Sequence, residues 1–135
     1  MRVTKHLLII EDQDVLSESL SRRFTRRGFE VSISANRDDI IAHVTSGKID
    51  LCLSDIDLTE SLSGLDIFQQ VRALGSKVPF IFLSGHDETS ATMQSALDLG
   101  AVAVFTKPTD FGVLLQRVCS VLNLPSDSAS LAALK

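Results

Sequence analysis

The sequence contains no tryptophan and no tyrosine. Only its seven phenylalanines could stack on nucleobases, and aromatic stacking is what single-strand binders rely on. Basic residues are also scarce, 13 against 17 acidic ones, which leaves a net charge of −4. Domains that grip nucleic acid usually have a pI above about 9, so direct nucleic-acid binding by this chain is not expected. Long hydrophobic runs are missing as well. The longest extend about five residues, against the roughly 20 that a membrane span needs. The opening Met1-Arg2-Val3-Thr4-Lys5-His6 lacks the apolar segment of a signal peptide. No membrane association is therefore expected, and the cytoplasm is the expected location. Cysteine is limited to Cys52 and Cys119, each inside an apolar run and without zinc-site or disulfide-framework spacing. Both are read as buried, reduced thiols.

What is present is an alternation. Leu7-Leu8-Ile9-Ile10 is a short buried strand, and Val15, Leu16, Leu20 and Phe24 then recur at helical spacing up to Gly28. Phe29 to Ser34 alternates like a strand. Asn36 is positioned to cap a helix carrying Ile40, Ile41 and Val44, with Gly47 after it. Leu51-Cys52-Leu53 is a third strand, and Ile67, Phe68, Val71 and Leu74 mark a third helix ending near Gly75. Pro79 to Leu83 is a fourth strand, and Met93, Ala96, Leu97 and Leu99 mark a fourth helix closed by Gly100. Ala101 to Phe105 is a fifth strand. Phe111, Leu114, Leu115, Val118 and Leu122 mark the last helix, with Thr109 as its expected cap.

The pattern is (βα)5. Helical crossovers imply a parallel sheet covered on both faces, in agreement with strands that are almost continuously apolar. The expected fold is a doubly wound α/β sheet of five strands. A chain of 135 residues holds one such domain.

Open α/β sheets bind ligands beyond the carboxyl ends of their strands. Here those ends deliver Glu11-Asp12 from the first strand, Asp55 and then Asp57 from the third, Ser84 from the fourth and Lys107 from the fifth. Carboxylates gathered within about 5 Å repel by roughly 3 kcal/mol per pair at an effective dielectric of 20. Such a cluster gains nothing unless a cation occupies it, and hard oxygen ligands suit Mg²⁺. A metal, a lysine and a hydroxyl together suit phosphoryl transfer, and a carboxylate can itself be the nucleophile.

Leu8-Ile9-Ile10-Glu11-Asp12, Leu53-Ser54-Asp55, Phe82-Leu83-Ser84-Gly85, Gly100-Ala101 and Phe105-Thr106-Lys107-Pro108 closely resemble, in this order, the receiver domains of two-component response regulators. The similarity runs over roughly residues 4 to 124. It implies the flavodoxin-like strand order 2-1-3-4-5 and a receiver domain over 1–124. The Ser- and Ala-rich 125–135 beyond it reads as a free tail, a linker to an output domain or the start of another helix. It implies that Asp55 accepts a phosphoryl group from a histidine kinase or a phosphotransfer protein. Asp12 and Asp55 would then ligate Mg²⁺ directly, Glu11 through water, and Asp57 through its backbone carbonyl. Lys107 would pair with Asp55 and then with a phosphate oxygen, Ser84 would donate to another, and the Lys107–Pro108 bond would be cis. The result would control an output partner or domain, with a phosphorylation-dependent dimer as one form of response.

Three positions depart from the family pattern. Thr59 stands where a proline is usual. Gly64 comes one residue late after Asp55, so the intervening loop is one residue longer. Val104 replaces the switch aromatic, and Phe105 beside it should face the opposite side of the strand.

Other readings compete. Asp55-Ile56-Asp57-Leu58-Thr59 resembles the motif of haloacid dehalogenase-like phosphatases, but that motif should follow the first strand. An FMN-binding flavodoxin would need hydroxyls and glycine, not Glu11-Asp12-Gln13-Asp14, around its phosphate. A phosphorylation-independent interaction module of the same fold is the non-catalytic alternative. Arg22, Arg23, Arg26 and Arg27 form either a solvated face near a helix C-terminus or a docking surface. His6 and His43 are read as surface residues, and His86, two after Ser84, either as a plain loop residue or as one that influences access and the hydrolytic water at the expected phosphoryl site.

Overall fold

The computed structural model describes residues 4–59, 62–85 and 90–125. His86 and the tail beyond Pro125 lie outside the described residues. The elements run β1 (His6–Ile10), α1 (Asp14–Arg26), β2 (Glu30–Ser34), α2 (Arg37–Thr45), β3 (Leu51–Asp55), β4 (Asp57–Thr59), β5 (Leu62–Ser63), α3 (Gly64–Ala73), β6 (Phe80–Ser84), α4 (Ser90–Asp98), β7 (Ala103–Thr106) and α5 (Phe111–Val121). Five parallel strands form one sheet in the order β2-β1-β3-β6-β7. Counting only these five, the order is the expected 2-1-3-4-5.

Side chains alternate across a strand, and that alternation divides the core in two. Leu7, Ile9, Leu51, Leu53, Ile81, Leu83 and Ala103 face Leu20 and Phe24 of α1 and Leu114, Leu115 and Val118 of α5. Leu8, Ile10, Cys52, Phe80 and Phe82 face Ile40 and Val44 of α2, Ile67, Phe68 and Val71 of α3, and Ala96 of α4. Each face holds its own ring cluster: Phe24 against Phe29 and Phe111, and Phe68 against Phe80 and Phe82. Cys52 and Cys119 are free and buried on opposite faces.

Helix ends follow local chemistry. The Asn36 side chain accepts from the Asp39 amide, so it caps α2 as expected. Gly100 closes α4 with a φ of 109°, a left-handed position that costs glycine nothing. At α5 the expectation needs correcting. Asp110, not Thr109, is the cap, its carboxylate accepting from the Val113 amide at 3.0 Å. The Thr109 hydroxyl instead donates backward to the Thr106 carbonyl.

Three further positions differ from expectation. The third strand ends in Asp55, as expected, but the last begins at Ala103 rather than Ala101. The segment after Asp55 is not plain loop. β4 and β5 pair antiparallel, with a register shift between Asp57 and Thr59. Two steps along β4 oppose one along β5, which is how a bulge absorbs one surplus residue. Finally, His6 is no free surface residue. Its Nε2 lies 2.7 Å from the Ser32 hydroxyl, and its backbone N–H donates to Asp50.

Candidate functional site

Parallel register carries the polar residues to one edge. Ile10 pairs with Ser54, Asp55 with Leu83, and Ser84 with Thr106. The residues at and just beyond these ends, Glu11, Asp12, Asp55, Ser84 and Lys107, are thereby brought to the carboxyl edge of the sheet. The Lys107 backbone N–H donates to the Ser84 carbonyl at 2.7 Å, which locks the fifth strand's exit onto the fourth. The Lys107–Pro108 bond is cis, as expected.

One carboxylate oxygen from each of Glu11, Asp12 and Asp55 lies within 4.8 Å of the others. Lys107 Nζ sits 3.2 Å from Asp55 Oδ2 and 3.4 Å from Glu11 Oε1. Glu11 and Asp55 are buried, whereas Asp12 is exposed. Burial, then the Asp55 charge and its hydrogen bond, push the Glu11 carboxyl up to about 7, with Lys107 pulling the other way. The buried Glu11 Oε2 has no hydrogen-bond partner among the described residues. A buried oxygen without a donor costs free energy, and one lysine cannot balance three carboxylates. A divalent cation fits both deficits. The Asp57 side chain is exposed and outside this carboxylate group, so only its backbone carbonyl remains for the role assigned from sequence.

The Ser84 side chain is fully buried, and its hydroxyl donates to the Gly85 carbonyl at 3.3 Å. That long bond leaves a donor that can be re-aimed. Val104 packs against the α2–α3–α4 core and Phe105 against the α1–α5 core, so the two face opposite sides of β7.

Sequence reasoning missed two contributors. Ser54 is fully buried, and its hydroxyl donates to the Asp55 carbonyl at 2.9 Å. Gly64 presses against the same carbonyl. A Cβ there would collide with the Asp55 oxygen and stand 2.8 Å from Ser54 Oγ. The serine in Leu53-Ser54-Asp55 and the late glycine were visible, but nothing in one dimension joined them. Arg23 and Arg27 line a cleft with Asp110 to Val113, and Arg23 stacks on Phe111 at 5.3 Å.

These features can be set beside known proteins. The transcriptional regulatory protein DltR of Streptococcus agalactiae is 34% identical over 112 residues, covering 83% of this chain and 49% of that protein. The chain spans about half the length of the curated relatives it matches. The crystal structure of the receiver domain of TorR, a TMAO respiratory system response regulator, is 30% identical. It superposes with a TM-score of 0.78, over 87% of this chain and 96% of that one. The crystal structure of FixJ-N, at 20% identity and a TM-score of 0.80 over 91% of this chain and 96% of its own, speaks for the fold alone. None of these features fits a haloacid dehalogenase-like phosphatase or a flavodoxin better. The family description "Response regulator receiver domain" covers residues 7–119, from the first core strand to the last turn of α5, and the chain belongs to that family.

Proposed function

We propose that this chain is the phosphoacceptor module of a response regulator, with Asp55 as the residue that is phosphorylated. The observation that carries the reading is Lys107 Nζ at 3.2 Å from Asp55 Oδ2 within the carboxylate cluster. An Asp55 oxygen attacks the phosphorus of a phosphohistidine. The new O–P bond forms as the P–N bond breaks, and the electron pair leaves on the imidazole, which takes up a proton. Lys107 shifts from the carboxylate to a phosphoryl oxygen and offsets its charge. The Ser84 hydroxyl exchanges the Gly85 carbonyl for a second oxygen.

Mg²⁺, which the family binds, would be held by Asp12, Asp55, the Asp57 carbonyl and, through water, Glu11, and would neutralise charge on the transferring group. The donor would be a histidine kinase or phosphotransfer protein, and the receiver of the signal an output domain or partner. Among the described residues no helix is long and apolar enough to cross a membrane; the proposed place of this signalling is the cytoplasm. The same residues would let the domain catalyse its own phosphorylation and dephosphorylation.

The test uses a small phosphodonor. Acetyl phosphate with Mg²⁺ should add one phosphate by intact mass, and chelation of Mg²⁺ should prevent it. No added phosphate under any condition would leave the phosphorylation-independent interaction module as the reading.

Metal binding gives a second expectation. Mg²⁺ should raise the Tm, because a ligand at ten times its Kd stabilises by about 1.4 kcal/mol. Asp12→Asn should remove most of that rise. Glu11→Gln should remove less, because its proposed contact runs through water. It should also leave the metal-free Tm unchanged or higher, since it deletes a buried charge. Thermal melts across a Mg²⁺ series check this, and a larger loss in Glu11→Gln would reverse the two roles.

A third expectation concerns Val104. Its branched Cβ restricts χ1 and it has no ring to swing. Beryllofluoride should therefore shift the Gly85 amide while leaving the Val104 χ1 populations unchanged. Amide and methyl NMR with and without beryllofluoride decide the matter. A χ1 change at Val104 with a static Gly85 would refute it.

A further inference from the structure

The Ser54 hydroxyl takes no part in the phosphoryl transfer itself, yet it holds the backbone of the proposed acceptor. β1 ends at Ile10, whose partner on β3 is Ser54. Beyond that pair no β1 residue stands in register with Asp55, so its carbonyl lies past the end of that ladder. The Ser54 Oγ donates to it at 2.9 Å instead. On the other flank, the Ile56 N–H donates to the Leu83 carbonyl of β6 at 3.2 Å. The Asp55–Ile56 peptide is thus held at its N–H by the sheet and at its C=O by a side chain. Gly64 closes the arrangement, donating to the Ile56 carbonyl at 2.6 Å while its Cα lies over Ser54 Oγ and the Asp55 oxygen.

We infer that Ser54 is a positioning residue for the phosphoacceptor: its hydroxyl fixes the peptide plane that follows Asp55. The inference rests on the proposed role of Asp55. Turning that plane rotates the backbone of Asp55 and re-aims its carboxylate, now 3.2 Å from Lys107 Nζ. It also moves the chain leading to the Asp57 carbonyl. Without the hydroxyl, a buried carbonyl lacks this donor and turns toward another. Only a small side chain fits, because Gly64 leaves no room above it.

The test is acetyl phosphate labelling over a Mg²⁺ series, read by intact mass, of the wild-type chain, Ser54→Ala, Ser54→Cys and Val118→Ala. Ser54→Ala keeps the volume and loses the donor. Its labelling rate at saturating Mg²⁺ should fall about ten-fold, since small misplacements of reacting groups cost factors of this order or more. Its half-saturating Mg²⁺ concentration should rise. Ser54→Cys, with a weaker donor, should fall between Ala and wild type. Val118→Ala opens the core on α5 without removing any group of the proposed site, and should lose stability while keeping the wild-type rate and Mg²⁺ dependence. A wild-type rate and Mg²⁺ dependence in Ser54→Ala would overturn the inference. So would a rate loss in Val118→Ala that follows the loss of stability as it does in Ser54→Ala. Should Ser54→Ala not fold, an unchanged rate in Ser54→Cys overturns the inference and a reduced one supports it. A wild-type chain that takes no label is a separate result, and it defeats the reading of Asp55 itself.

Discussion

Asp55→Asn should abolish phosphate uptake and leave the fold intact. The amide keeps the shape of the carboxylate but has no anionic oxygen to attack phosphorus. Its buried position, 7% exposed, tolerates a neutral group more readily than a charged one. The substitution also removes one member of a repelling carboxylate cluster. The metal-free Tm should therefore hold or rise while labelling disappears. Intact mass with acetyl phosphate and Mg²⁺ checks the first part, and thermal denaturation the second. An acyl phosphate is cleaved by hydroxylamine. A hydroxylamine-labile phosphate retained by Asp55→Asn would move the acceptor to Glu11 or Asp12. Lys107→Ala supplies the complement. It should spare metal binding but separate phosphorylation from conformational change, because the group that follows the phosphate is gone.

Gly64→Ala should be strongly destabilising, although it adds only one methyl group. Gly64 has no positive φ that would require glycine; space alone requires it. The added Cβ meets the Asp55 carbonyl oxygen, which is backbone, and Ser54 Oγ at 2.8 Å. Neither can retreat easily. The Asp55–Ile56 peptide is bonded to β6, and the first turn of α3 is tied down by the Ser63 hydroxyl accepting from the Leu65 amide at 3.1 Å. Overpacking against fixed groups costs about 3 kcal/mol or more, which lowers the Tm by roughly 10 °C in a domain of this size. Gly75 supplies the contrast. It has a φ of 92°, but a Cβ there would meet nothing within 4 Å. Gly75→Ala should cost about 1 kcal/mol from backbone strain alone. Equal melting temperatures for the two variants would show that the approach over Asp55 is soft.

The large features of the fold were legible because they repeat. Leu7 to Ile10 and Phe80 to Leu83 are apolar on both faces, as only strands covered on both sides need be. The helical spacing of Val15, Leu16, Leu20 and Phe24 shows one stripe, although Val15 itself is 83% exposed and outside it. The site was legible for a related reason: parallel strands in register bring their ends together, so the residue after each apolar run identifies itself. What escaped depended on contacts rather than period. Thr109 and Asp110 are both good caps, and the choice turns on where the chain leaves β7. β4 and β5 are three and two residues long, too short to show an alternation. Leu58 reads as a loop residue but is 3% exposed, because the bulge turns it into the α2–α3–α4 core. Ser54 sits in an apolar strand and reads as an ordinary strand residue. Its importance comes from Gly64, which approaches it only in three dimensions.

The two cysteines have a practical consequence. Each is enclosed on its own side of the sheet, and burial pushes both thiols above their ordinary range. Thiolates are the reactive species, so alkylating reagents near neutral pH should pass over the native chain. A cysteine placed on an exposed helix face would then be its sole reactive handle. Spin or fluorophore pairs could be attached at chosen positions without first deleting Cys52 or Cys119. Distances between helices could then be followed in an otherwise unaltered protein as the phosphoryl group comes and goes.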